Sequence, residues 1–354
     1  MRIYNPITSL FESTDQNELV SKLGDPLQEL QKRIDWVQFR PLLEEVFPTT
    51  KNKKGGRPRM DPLKMLKILI LQKLYQLSDH ATEFQIADRM SFQRFIQIQS
   101  IKEIPDENTI WLFREQAQQA GLIDKLFDHF VSQLELAGII VNEGKMVDAS
   151  IVAAPKQRNN REENAKIKQG EQVEEWNEKP NKKRQKDVDA TWTKKHGRVH
   201  YGYKNHIKAD EKSKLIQDYE VGTASEHDSQ VIDDITHKHQ DAGQSLWADS
   251  AYRSEEIENN LASKDIKSEI HEKAYKSKPL TKKQIKNNTK KSKTRVRVEH
   301  IFGHMETKMK GTDIKTIGMQ RAVTQIGLKN LAYNISRVVF LLKSNWRGLS
   351  ISKI

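Results

Sequence analysis

The chain has 354 residues, with 60 Lys and Arg against 48 Asp and Glu for a net charge of +12, and a mean hydropathy of -0.77. Its length excludes a single small module, and its basic surplus points to a polyanionic partner, nucleic acid before an acidic membrane surface. The absence of cysteine excludes a disulfide framework, a thiolate metal centre and a cysteine nucleophile, leaving oxygen and imidazole chemistry.

Met1 to Asp15 is polar and acidic, and the longest apolar run, Ile68-Leu69-Ile70-Leu71, is far too short to cross a bilayer. The chain therefore reads as cytoplasmic, with no membrane partner. Residues 1–60 read as an N-terminal segment and a basic linker, because Lys51, Lys53, Lys54, Arg57 and Arg59 flank Gly55-Gly56 with nothing to bury. From Pro62 to Leu77 the apolar residues wrap more than one face, the pattern of a core helix. Ser78, Ser91 and Asp106 are placed to cap helices, and Gly121 and Gly138 to end them. Residues 61–140 thus read as a helical region.

At Gly144 the period changes. Strands are predicted over 145–152, 200–209, 215–222, 244–249 and 265–271, with helical composition over 229–239 and 255–264. The interleaving implies a mixed α/β domain over 141–345, a mixed sheet with helices on its faces. Residues 156–190 are almost wholly polar and read as an exposed or disordered insertion. Residues 273–297 hold eleven basic residues and no acidic one. They run into a helix over about 296–310, and a last apolar helix spans about 321–342.

Three carboxylates suit metal-assisted phosphoryl transfer, which needs hard oxygen ligands on rigid elements. Asp148 is the sole acid in the apolar strand Met146-Val147-Asp148-Ala149, where an unpaired charge is costly. Asp249 ends Leu246-Trp247-Ala248-Asp249 at the carboxyl edge of a strand, where open α/β sheets place ligands. Glu299 lies one helical turn after Arg295, beside Val298, Ile301, Phe302 and Met305, which mark a buried side. Each has a plainer account: a turn or amide cap for Asp148, an N-cap for Asp249, an exposed ion pair with Arg295 for Glu299.

The strand with Asp148, the Ala248-Asp249-Ser250-Ala251-Tyr252 segment and the helix Arg295-Val296-Arg297-Val298-Glu299-His300-Ile301-Phe302 resemble, in that order, the carboxylate motifs of bacterial insertion-sequence transposases of the DDE class. The insertion-sequence-five family is the nearest subgroup. Gly56-Arg57-Pro58, Asp61-Pro62-Leu63, Gln76-Leu77-Ser78-Asp79, Asp88-Arg89-Met90-Ser91-Phe92-Gln93-Arg94-Phe95, Ile104-Pro105-Asp106-Glu107-Asn108-Thr109 and Ala224-Ser225-Glu226-His227-Asp228-Ser229 extend the likeness over roughly residues 55–340. It implies an RNase H-like fold whose Asp148, Asp249 and Glu299 hold two Mg2+ ions, with Mn2+ as a substitute. The implied reaction cuts double-stranded DNA at element ends and joins 3′ hydroxyls to a target, with no covalent enzyme intermediate. Two ends must be brought together, which implies a homodimer at the nucleoid. Related families carry a tyrosine, an arginine, the glutamate and a lysine at set spacing. Here Arg295 matches the arginine, Ser292 and Glu306 stand at the tyrosine and lysine positions, and Lys308 or Lys310 is left to grip the 5′ phosphate.

The basic stretches suit salt-sensitive, sequence-independent phosphate contact, with Arg57, Arg59, Arg295 and Arg297 among the DNA-binding candidates. Ser78 to Phe95 could form a helix-turn-helix-like pair whose Arg89, Gln93 and Arg94 reach base edges. Lys204 and His206 belong to a run that interleaves cations with aromatics, as backbone contact and base stacking require, although alternation along a strand is the simpler account. His196, His200, His206 and His227 match no ordinary zinc spacing. Asp228 is a possible fourth acid. Two rivals remain: a nuclease of the same fold that does not join strands, and an inactive DNA-binding protein.

Overall fold

The computed structural model describes residues 12–48, 59–157, 159–171, 173–195, 197–275, 279–348 and 353–354. It opens with α1 (Glu12–Leu23), α2 (Pro26–Arg33), α3 (Arg40–Val46), α4 (Pro62–Tyr75), α5 (Asp79–Asp88), α6 (Met90–Ile96), α7 (Glu107–Gln119) and α8 (Leu122–Leu136). There follow β1 (Gly144–Ala153), α9 (Arg161–Lys168), α10 (Pro180–Lys183), β2 (Thr191–Lys195), β3 (Arg198–Asp210), β4 (Ile216–Thr223), α11 (Lys238–Asp241), β5 (Ser245–Trp247), α12 (Glu255–Ser263), β6 (Lys267–Ser268), α13 (Lys282–Thr307) and α14 (Met319–Lys343).

Local chemistry sets the helix ends. Asp25 and Asp61 each precede a proline and accept an amide two residues on, Leu27 N at 2.9 Å and Leu63 N at 3.0 Å. Ser78 and Asp106 cap α5 and α7 as their positions predict. Ser91 does not cap: it lies inside α6, because α5 runs on to Asp88 and only Arg89 separates the two helices. Residues 12–46, expected as a plain segment, are largely helical. Their Leu27, Leu30, Ile34, Trp36, Phe39 and Leu43 are buried around α4, whose Ile68, Leu69, Ile70 and Leu71 have no exposed surface. Lys51, Lys53, Lys54 and Arg57 of the expected linker lie outside the described residues.

Central β1 is antiparallel to β3 and parallel to β5, β4 is antiparallel to β3, and β6 is parallel to β5. The order across the sheet is therefore β4-β3-β1-β5-β6, with β2 hairpinned onto the first residues of β3. This is the mixed, helix-flanked sheet of an RNase H-like fold. Strand alternation sends Met146 and Ile207 to one face, into a core shared with Val298, Ile301 and Leu331 of α13 and α14. Val147, Leu246 and Ala248 go to the other, against Ile257 and Leu261 of α12. The first of these cores is continuous from Leu27 to Leu342 and takes in Phe39, Leu69 and Phe130, so the helical region and the sheet share one interior.

Four expectations are corrected. The insertion over 156–190 is folded: α9 starts on an Asn160–Glu163 capping box, Trp176 is buried and donates to Glu163 at 2.9 Å, and buried Asp187 accepts from Tyr203 Oη at 2.8 Å and from Gly318 N at 3.2 Å. Asp189 accepts Met319 N at 2.7 Å at the start of α14. Few apolar residues suffice because the insertion leans on β3 and α14 instead of building its own core. The second correction is α13, which begins at Lys282 on a Thr281–Gln284 capping box, well before residue 296; its first half carries no apolar stripe because most of it faces solvent. Third, residues 229–239 form short turns, since Val231, Ile232 and Ile235 are held individually against the sheet. Fourth, the last strand is only Lys267–Ser268.

Candidate active site

Asp148 lies on the face of β1 that meets α13, and its Oδ1 accepts the amide of Ala149 at 2.8 Å. The β1–β5 register pairs Met146 with Trp247, and the β5–β6 register pairs Leu246 with Ser268. Carrying both two or three residues further puts Asp148, Asp249 and His271 level with one another, on strands spaced about 4.8 Å apart. The amide of His271 donating to Ala248 O at 3.2 Å extends the second pairing into this row. Asp249 also caps the turn Ser250–Tyr252, accepting the Ser250 amide and, at 3.1 Å, its hydroxyl, so the plainer reading of this residue holds.

Glu299 comes from α13. Arg295, one turn earlier, reaches Glu299 Oε1 with Nη2 at 2.8 Å and Asp148 Oδ2 with Nη1 at 3.6 Å. One guanidinium thus ties the first and third carboxylates together, while Val298, Ile301 and Met305 seat the helix on the sheet. At the other end of the row, Ser292 Oγ lies 3.3 Å from His271 Nε2.

Burial pushes the Asp148 carboxyl up to about 6, and the like charge of Asp249 pushes the same way against the Ala149 amide and Arg295. Burial lowers His271, with Arg295 adding to the effect and Asp249 opposing it. Tyr252 is raised far above its ordinary range by burial and then by the charges of Asp228, Asp148 and Asp249. Its hydroxyl is buried with no partner among the described residues. These couplings place Asp148, Asp249, Tyr252, Arg295 and His271 in one electrostatic neighbourhood.

The donor set suits a hard divalent cation, since two carboxylates share an edge and one is buried with a single guanidinium beside it. Among the described residues no three acidic or imidazole side chains stand close enough to enclose an ion. Glu299 is held by Arg295, and would have to exchange that partner to join the other two.

The other candidates scatter. Lys204 is paired with Asp228 at 2.7 Å and donates to Glu226 O, and Arg297 is paired with Glu211 at 2.9 Å. His206 is not on the surface: β3 turns it inward, both ring nitrogens are buried without a partner among the described residues, and burial pushes it down to about 4. Arg94 is committed to Asp25 at 2.7 Å and Gln93 donates to Ile86 O at 2.9 Å. Of the three supposed base readers only Arg89 is turned outward, over the Phe92 ring. Arg59 packs over Phe47. Lys308 and Lys310 are exposed, about 13 Å or more beyond Glu299 along the chain axis of α13, and are not gathered into the site. Lys282, Lys283, Lys286, Lys290 and Lys293 are exposed along α13, a cationic stripe that 3.6 residues per turn put on the side of the helix opposite Ser292, Arg295 and Glu299. His271 went unnoticed in the sequence, although it closes the stretch read there as the fifth strand.

No helix among the described residues is long and apolar enough to cross a membrane. A family model described as a transposase DDE domain matches residues 141–335, and one described as a transposase domain matches residues 14–116. Among solved structures, the cryo-EM structure of the piggyBac transposase synaptic complex with hairpin DNA is similar at 12% identity, covering 92% of this chain and 77% of that one, with a TM-score of 0.45.

Proposed function

The chain belongs to the DDE transposase family, and from that footing we propose that Asp148, Asp249 and Glu299 are its catalytic carboxylates, holding two Mg2+ ions for which Mn2+ can substitute. The observation that carries this assignment is the alignment of Asp148 with Asp249 on neighbouring parallel strands, with Arg295 linking Asp148 to Glu299 across the helix above. Bound there, the ions supply charge neutralisation at phosphorus and acidify the attacking hydroxyl. The protein's own part is positional. β1 and β5 fix two carboxylates on a rigid sheet, Arg295 keeps Glu299 within reach, and the side chains of Val298, Ile301 and Met305 exclude water beneath them.

The reaction is an in-line displacement at a DNA phosphodiester: hydrolysis at the ends of an insertion element of the insertion-sequence-five type, then attack of the freed 3′ hydroxyl on target DNA. The α13 lysine stripe holds the duplex by its phosphates. Arg59 adds phosphate contact, Arg89 on the helical region lies with the contacts that choose the ends, and a homodimer brings two ends together at the nucleoid. The test uses the full chain, Mg2+ and a duplex bearing the border of the element that encodes it. Nicking at the border, joining of precut 3′ hydroxyl ends, and loss of both in Asp249→Asn with DNA binding retained are the expected results. Hydrolysis without joining would make the protein a nuclease of this fold; binding without either, in Mg2+ or Mn2+, would make it a DNA-binding relative that has lost catalysis.

A further inference from the structure

We propose that His271 is a further catalytic residue, its imidazole N–H hydrogen-bonding a non-bridging oxygen of the DNA phosphodiester held at the carboxylate edge; this rests on the transposase reading of that edge.

Position comes first. The register that aligns Asp148 with Asp249 continues into the extended segment after β6, where the His271 amide bonds Ala248 O at 3.2 Å. Three neighbouring extended segments therefore present acid, acid and imidazole in one row. The helix above the row matches it: Ser292 meets His271, Arg295 meets Asp148, and Glu299 follows, residues three and four apart that share a helix face.

The hydrogen-bond inventory assigns the proton. Ser292 has one hydroxyl hydrogen, and it is directed at Asn288 O at 2.8 Å. Its oxygen is then left to accept, so His271 Nε2 carries the hydrogen across the 3.3 Å contact. A long bond to a neutral hydroxyl is a weak resting place for a donor, and an anionic phosphate oxygen is about twice as strong an acceptor. Arg295 and Lys291 act on the same ring, so an anion arriving there meets positive charge as well as the N–H.

The ring is also aimed in advance. The carbonyl of Ile270 accepts from Lys291 Nζ at 2.9 Å and Arg253 Nη1 at 3.1 Å. The next residue but one, Glu272, is bound by Asn288 through both its amide and its carbonyl, at 2.8 and 3.0 Å. Four side-chain contacts for two flanking backbone units leave little freedom to a residue outside regular structure, which is how a donor is preorganised for a developing charge.

The test compares His271→Ala and His271→Gln in the full chain, since the Gln amide keeps an N–H at nearly the same reach. Alanine should lower the single-turnover cleavage rate about 10²-fold, with DNA affinity changed less than threefold. Glutamine should recover at least tenfold. Diethylpyrocarbonate footprinting of the wild-type chain should show His271 protected by the border duplex with Ca2+. An alanine variant within threefold of wild type, a glutamine variant no better than alanine, or an imidazole as reactive with DNA as without it would each overturn the proposal. Should wild type and Asp249→Asn both fail to cleave, the transposase mechanism fails instead, and the footprint still decides whether His271 touches DNA.

Discussion

Asp148→Asn should make the metal-free protein more stable while ending its DNA cleavage. The folded carboxyl titrates at about 6 against an ordinary 3.8, chiefly because it is buried. A carboxyl raised in this way favours the neutral form in the fold, so stability is highest in acid and falls as pH climbs from about 4 through 6, with no recovery above. At pH 8 that costs the wild type about 3 kcal/mol, and with the side chain only 20% exposed solvent takes back little of it. The pull of Arg295 is already counted in that raised titration, so asparagine, standing in for the neutral acid, should recover the whole cost. The gain of about 3 kcal/mol should raise the melting temperature by roughly 4 °C in a chain of this size. Thermal unfolding in EDTA at pH 8, 5 and 4 reads it out. The variant's advantage should fall to roughly half at pH 5 and to well under 1 kcal/mol at pH 4. Mg2+ should stabilise the wild type and not the variant. An asparagine variant that melts below wild type at pH 8, or a difference indifferent to pH, would refute the claim that Asp148 is a strained, poised carboxylate.

Asp187→Asn leaves one buried oxygen where two now accept from Tyr203, Gly318 and the Asp189 and Ala190 amides; it should cost about 2 kcal/mol, and limited proteolysis should then cut within 156–190 first. Gly202 has φ +151, and a Cβ there would sit 2.1 Å from Val152 O; Gly202→Ala should destabilise by about 3 kcal/mol or fail to accumulate as folded protein, as urea titration would reveal. Changing Lys283, Lys286 and Lys290 together to glutamine should weaken binding to any duplex and flatten the dependence of log affinity on log salt by about 2.7, measured by fluorescence anisotropy at several ionic strengths; an unchanged slope would remove α13 from the DNA contact.

Much of the proposed site was legible before any coordinates. Asp148 betrays itself as the one acid among Met146, Val147 and Ala149, and Glu299 by its spacing from Arg295 and its place beside a buried stripe. What sequence could not show is which charges find partners far along the chain. Lys204 is claimed by Asp228, Arg94 by Asp25 and Arg297 by Glu211, and nothing local distinguishes them from the unclaimed lysines of α13. His206 misled because the run of cations and aromatics around it suggests a surface, whereas β3 is covered on both faces and is buried from Tyr201 to Asp210 apart from half-buried Lys204. The fold of the insertion was hidden for a related reason: its anchors, Asp187 and Asp189, are acids whose donors lie on Tyr203, Gly318 and Met319. His271 needed the sheet itself, since only the lateral stagger of β5 and β6 brings it level with Asp249.

The unbroken interior that runs from α2 to α14 has an evolutionary corollary. Proteins assembled from beads on a string acquire a new address by shuffling whole beads. Here the helical region and the sheet with its flanking helices would each be left with a raw oily wound if parted. New preferences must then arise by piecemeal change of surface side chains, and a chimaera joined near residue 140 should reach the cell as an aggregate, not an enzyme with a borrowed target.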